Sequence, residues 1–181
     1  MLNIDKVGLG ERTVSIEVYI ANRPPLPLYT DLDSMHVLQK GEVADIAEKT
    51  GNHWRKIFNV YAKFLYELKA EHRQCYASWQ AFRDDALLAL DCQHNLLFSQ
   101  LSRVSTANFN ANNKLIRILM GKQHGLKLTQ QAKISVNWLD DEFAIALEEH
   151  VIICPYFDYR QLSNQKISKL CYLIETHFGV F

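Results

Sequence analysis

Two short apolar runs constrain this chain more than any other feature. Residues 115–120 read Leu-Ile-Arg-Ile-Leu-Met and residues 151–154 read Val-Ile-Ile-Cys, so, Arg117 excepted, apolar side chains follow one another instead of alternating. Successive side chains of a strand point to opposite faces, so such runs suit strands covered on both sides, as in a parallel sheet flanked by helices. Both runs also end alike. Met120 leads into Gly121-Lys122-Gln123-His124-Gly125, and Cys154 into Pro155-Tyr156-Phe157-Asp158-Tyr159-Arg160. A buried strand that gives way at a glycine or proline to polar and aromatic residues reads as a strand feeding a loop, and two of them suggest a site.

The other elements extend this pattern. Residues 13–20 alternate, with Val14, Ile16, Val18 and Ile20 on one face and Thr13, Ser15, Glu17 and Tyr19 on the other, the period of a half-buried strand. Its exit, Asn22-Arg23-Pro24-Pro25-Leu26-Pro27, must run extended, because three prolines remove donors and forbid helix. Residues 35–49 suit a helix interrupted by Gly41, and Gly51 separates it from a second one. That second helix has Asn52 as its expected cap and Ile57, Phe58, Tyr61, Phe64, Leu65 and Leu68 along one stripe. In its first turn, His53, Trp54 and Arg55 either hold an anion or pack the helix onto its neighbour.

Ser78 is expected to cap a helix with Trp79, Phe82, Ala86, Leu87 and Leu90 inward, and residues 95–104 read equally as strand or helix. Residues 105–113 read as a polar loop, and residues 134–138 as a short strand. Asp140 is expected to cap a helix that buries Phe143, Ala144 and Leu147 and returns the chain to Val151. Asn164 is expected to cap a last helix, striped by Ile167, Leu170, Cys171, Ile174 and Phe178 and stopped by Gly179. Strands alternating with helices predict an α/β fold: a single domain over residues 1–181, a three-layer sandwich with a short, mostly parallel central sheet.

Composition narrows the function. The chain's 181 residues suit one domain, and 20 basic against 20 acidic side chains leave no overall basic field to drive non-specific nucleic-acid binding. No apolar run approaches membrane-spanning length and no secretory signal opens the chain, so a cytoplasmic protein is expected. Cys75, Cys92, Cys154 and Cys171 form no C-x-x-C pair and signal neither a zinc ribbon nor a redox motif, which predicts reduced, mostly buried thiols. No metal or other cofactor is implied.

If the strands are parallel, the loops at residues 22–27, 121–125 and 154–160 converge on one rim, where ligands of open α/β sheets bind. The candidate site residues are therefore Asn22, Arg23, Gly121, Lys122, His124, Cys154, Tyr156, Phe157, Asp158 and Arg160. Asp158 and Arg160 are close enough in sequence to pair across a turn, and His124 and Cys154, on what read as neighbouring strand ends, would make a base and thiolate pair. The spacing C-x-x-x-x-x-R from Cys154 to Arg160 resembles the phosphate loop of cysteine-dependent tyrosine phosphatases. Against it, Pro155 deletes a donor, Asp158 puts negative charge where an anion sits, and no glycine lets the loop curl.

A longer stretch is similar to the uracil-DNA glycosylase superfamily. An apolar strand runs into a glycine turn at residues 115–125, another into a proline loop at residues 151–156, and a carboxy-terminal helix follows at residues 164–178; the strand ending at Ile20, its Asn22-Arg23-Pro24-Pro25 loop and Gly51 match that family's first elements. The resemblance implies a three-layer α/β fold and a nucleotide, base or DNA as ligand. Catalysis is not implied, since Cys154 replaces the histidine expected before Pro155 and Asn22 alone stands where a water-positioning residue belongs. Tyr156, Phe157 and Tyr159 would be the bases' stacking partners. Two alternatives stand beside this one: a non-catalytic protein-interaction module using the exposed face of the Tyr61 or Phe82 helix, and a hydrolase built on Cys154.

Overall fold

A computed structural model describes residues 6–102 and 115–179. The expected polar loop at residues 105–113 lies outside the described residues.

Among the described residues eight strands form one mixed sheet: β1 (Gly8–Gly10), β2 (Ile16–Tyr19), β3 (Met35–His36), β4 (His94–Leu97), β5 (Ile116–Met120), β6 (Asn137–Trp138), β7 (Ala144–Ala146) and β8 (Val151–Cys154). Their order is β3-β1-β4-β2-β5-β8-β7-β6. The four central strands are mutually parallel, with Val18 opposite both Leu96 and Ile118, and Ile118 opposite Ile152. On one flank β1 runs antiparallel to β4. On the other, β7 and β6 form an antiparallel extension of β8.

The helices are α1 (Pro27–Thr30), α2 (Glu42–Thr50), α3 (Asn52–Leu68), α4 (Ala70–Cys75), α5 (Trp79–Ala86), α6 (Lys122–Ala132) and α7 (Asn164–Phe178). Two apolar cores, one on each face of the sheet, make the third dimension. Ile16, Val18, Ile118, Met120, Ile152 and Cys154 pack with Phe58, Tyr61, Phe64 and Leu65 of α3 and with α2, α5 and α7. Tyr19, Leu97, Leu119, Val151 and Ile153 face the other way, against Leu128 of α6 and Ile134. The protein is an α/β sandwich, as its apolar strands require.

Several elements differ from expectation for identifiable reasons. β2 is buried on both faces rather than half-buried, because its polar residues find partners: Tyr19 donates its hydroxyl to Glu17 Oε2 at 2.8 Å, and Lys6 Nζ lies 2.6 Å from Glu17 Oε1. Residues 121–125 are not a loop. Gly121, at φ +88°, turns the chain straight into α6, and Gly125 lies inside that helix, where a Cβ would meet Ile153 Cγ2 at 2.9 Å. Only glycine lets α6 approach β8 this closely.

Asp140 starts no helix. Its carboxylate accepts from the backbone of Glu142 and Phe143, both at 2.8 Å, and this turn reverses β6 into β7. A short side chain that bonds the backbone two and three residues on serves a turn as well as a helix cap. Leu147 is accordingly exposed, at 52%, and Leu90, expected inward on the Ser78 helix, lies beyond the end of α5 and is exposed at 68%. The expected helix over residues 35–49 divides into β3 and α2, with Gly41 at the start of α2. Gly51 both ends α2 and precedes α3, so Asn52 is a helical residue and not the cap, and Ser163 takes the cap position expected of Asn164. Ser78 does cap α5, accepting from Ala81 N at 3.2 Å.

Candidate functional site

The chain leaves β2 towards β4 and leaves β5 towards β8, so the connections diverge between the two central neighbours. Helices following β2 lie on one face and α6 on the other. Such a switch point opens a crevice beyond the carboxyl ends of the strands, and ligands of open α/β sheets bind there.

Three of the predicted loops meet in that crevice. Asn22, after β2, donates its amide to the Tyr156 hydroxyl, after β8, at 3.4 Å. Gly121, after β5, donates its backbone N–H to Cys154 O at 2.9 Å, and a Cβ on it would lie 3.6 Å from the Tyr156 ring. The fourth participant is His53, in the first turn of α3. Its Nε2 is 3.2 Å from the Tyr156 hydroxyl, and the two rings stack with centroids 5.8 Å apart and planes 25° apart. Burial raises the Tyr156 phenol above its ordinary value, which keeps it a neutral hydrogen-bonding group. Beside the cluster lies an open recess of about 500 Å³ with Asn22, Arg23, Pro25, Thr30, His53 and Trp54 on its walls.

The turn after β8 is fastened to α3. Asp158 Oδ2 is 3.1 Å from Lys56 Nζ, and Oδ1 accepts from the backbone N–H of Arg160 at 2.9 Å. The expected Asp158–Arg160 ion pair is thus replaced by a Lys56 pair across 102 residues, with Arg160 contributing its backbone. That N–H and Lys56 hold the Asp158 carboxyl below its usual value. The Arg160 guanidinium lies 5.8 Å from the Tyr159 ring centroid, and Lys56 Nζ 4.9 Å from it. Tyr159 itself is 52% exposed.

Other predicted site residues serve the scaffold. Arg23 spends Nη1 on the carbonyls of Thr30 and Leu32, both at 2.8 Å, and clips α1 to the end of β2. Lys122 donates to Asp141 O at 2.8 Å and lies 4.5 Å from the Trp138 ring centroid. Phe157 is fully buried between Tyr61 and Phe64, so it closes the core and offers no stacking face. Cys154 is also fully buried, and burial alone pushes its thiol far above the ordinary range. It packs into the α3 core, whereas His124 belongs to α6 on the opposite side of the sheet, so the two form no base–thiolate pair. Desolvation lowers the His124 pKa. Among the described residues no group of three or more His, Cys, Asp or Glu side chains is arranged to hold a metal ion.

Lys56 carried no signal in the sequence, since its position on α3 says nothing of the turn it reaches. His53 did: an imidazole in a helix's first turn, two residues after a glycine break, is placed to face whatever lies at that helix end.

Fold and crevice together define an open α/β protein with a polar, aromatic pocket at its topological switch. Residues 7–175 match a family of unknown function, DUF6942, and the chain belongs to that family. No curated protein and no solved structure matches it. Among the described residues no helix is long and apolar enough to cross a membrane.

Proposed function

We propose that this protein binds a nucleotide or a nucleic acid at the rim formed by the ends of β2, β5 and β8, as a binding relative of the uracil-DNA glycosylase fold rather than as an enzyme. The observation that carries the reading is the convergence of Asn22, His53 and Tyr156, from three separate segments, beside an open recess at the switch point. The His53–Tyr156 stack offers planar faces to a base, and Asn22 a donor and acceptor to its edge. Arg160 and Lys56, the latter paired with Asp158, stand at the turn after β8 as cations beside this rim, and the backbone N–H groups of the first turn of α3 add to them, Gly51 being unable to cap them with a side chain. A thiol nucleophile is not supported, because Cys154 has neither access nor a depressed pKa.

Titration with a mononucleotide, single-stranded DNA and duplex DNA at low and moderate salt tests the reading. Affinity is expected to fall as salt rises, since phosphate contacts release counterions. It should drop about tenfold in Tyr156→Ala, in line with loss of a stacking partner. Absence of binding at low salt by every one of these ligands ends the proposal.

A further inference from the structure

The rim is one end of a longer surface. Exposed Asn52 and half-buried Lys56, Asn59, Lys63 and Tyr66 recur along α3 at spacings of three and four, so they form one line down the helix from the crevice. On one side stands α5, whose Trp79 ring centroid is 5.0 Å from Lys63 Nζ and 5.5 Å from Arg83 Cζ. On the other stand the Asp158–Arg160 turn and the start of α7, with Lys63 Nζ 3.4 Å from Asn164 Oδ1. Two recesses open along this furrow. One of about 490 Å³ is lined by Arg55, Asn59 and Arg83 together with Glu48 and Asp84, and another of about 420 Å³ by Lys63, Tyr66, Arg73, Trp79 and Asn164 together with Glu67.

Charge along the furrow is unevenly compensated. Lys56 and Arg83 pair with Asp158 and Asp84. Lys63 and Arg55 instead contact the side-chain oxygens of Asn164 and Asn52, and Arg73 contacts the carbonyls of Tyr66 and Glu67, so among the described residues none of these three cations has a carboxylate partner. The furrow thus has two aromatic rings, Tyr159 and Trp79, each attended by two cations. The lysines that attend them are seven residues apart, about 10 Å along the helix.

We propose that the ligand of the rim is a single-stranded nucleic acid that continues along α3, with Tyr159 and Trp79 as stacking platforms and Arg55, Lys63 and Arg73 following its backbone. This rests on the rim reading and specifies its substrate class. Alternating cations and aromatic faces in a narrow groove bind single strands without sequence preference, because every unpaired base has a face to stack. Paired bases offer no such faces. An acidic peptide would satisfy the lysines but leave the two rings without function.

The test is fluorescence anisotropy with labelled dT3 and dT12 at low salt, on the wild-type chain and on Lys63→Glu and Trp79→Ala. Lys63 and Trp79 are half-buried, and Trp79 rests against the apolar core, so the folding of each variant is checked by circular dichroism, with Trp79→Phe as the conservative control. The dT12 strand is expected to bind at least about tenfold tighter than dT3, and each variant to weaken dT12 by about three- to tenfold while leaving dT3 unchanged. Trp79→Phe should retain most of the affinity. Equal binding of dT3 and dT12, neutral variants, or displacement of dT12 by duplex DNA or polyglutamate as effectively as by unlabelled dT12, each overturns the α3 path. Failure of both oligonucleotides to bind overturns the rim reading as well, whereas binding of dT3 with no gain from length overturns the path alone.

Discussion

Tyr156 and His53 are 103 residues apart in the chain, yet the phenol oxygen lies 3.2 Å from the imidazole Nε2. Asn22 Nδ2 donates to the same oxygen at 3.4 Å, so the phenol ties the segment after β2 to the first turn of α3. A double-mutant cycle with His53→Ala and Tyr156→Phe, followed by urea unfolding, should give a coupling of about 0.5–1 kcal/mol, the size of a partly exposed hydrogen bond. Additive effects within error would show that the two side chains are neighbours and nothing more.

Gly125→Ala sets helix propensity against packing. The exchange should favour α6 by about 1 kcal/mol, but the added Cβ would lie 2.9–3.1 Å from three carbons of Ile153. Overpacking of a tight core contact costs typically about 1–3 kcal/mol, so the variant is expected to be less stable, with a lower urea midpoint and an unchanged slope. A midpoint at or above that of the wild type would show that α6 can move off β8 without cost.

Stability should fall as pH is lowered through the histidine range. Burial lowers the pKa of His72, His94, His124 and His150. His94 is the extreme case, enclosed by Tyr61, His72 and Phe82 and accepting from Leu88 N at 3.1 Å. In the unfolded chain these groups titrate near about 6.5, so below that pH the unfolded state binds more protons and acid favours it. The carboxylates whose pKa is lowered in the fold, Glu42, Asp140 and Asp158, lose their contribution only at lower pH, as they become protonated. Urea midpoints measured at pH 7.5 and 5.5 therefore report the histidines, and a midpoint that holds or rises at pH 5.5 contradicts their neutral burial.

Thiol labelling should separate the four cysteines. Cys75 is exposed, whereas Cys92, Cys154 and Cys171 are buried, with the Cys92 thiol pushed up to about 11, mainly by burial. One equivalent of a neutral-pH thiol reagent should react rapidly with the native chain, at Cys75, and the other three only on unfolding. Rapid modification of Cys154 would reopen nucleophilic chemistry at the end of β8.

The sequence by itself determined the parallel centre of the sheet and its helical covering. Residues 115–120, Arg117 excepted, and 151–154 are apolar on both faces, and the stripe of α3 from Ile57 to Leu68 admits only one buried side, so strand and helix follow from local periodicity and burial. It also pointed to the strand ends as the rim, since Pro24, Gly121 and Pro155 must interrupt regular structure there. Tertiary structure decided which side chains share that rim. Local pattern cannot tell whether Asp140 caps a helix or closes a hairpin, because its carboxylate bonds the same nearby N–H groups in both; pairing of β7 with β8 settles it. Nor can it say that Asp158 takes Lys56 rather than Arg160, or that His53 reaches Tyr156, for these contacts span about a hundred residues and depend on α3 crossing beneath the turn. Sequence spacing reports neighbours along the chain, while a site at a topological switch is made of ends that only the packed sheet brings together.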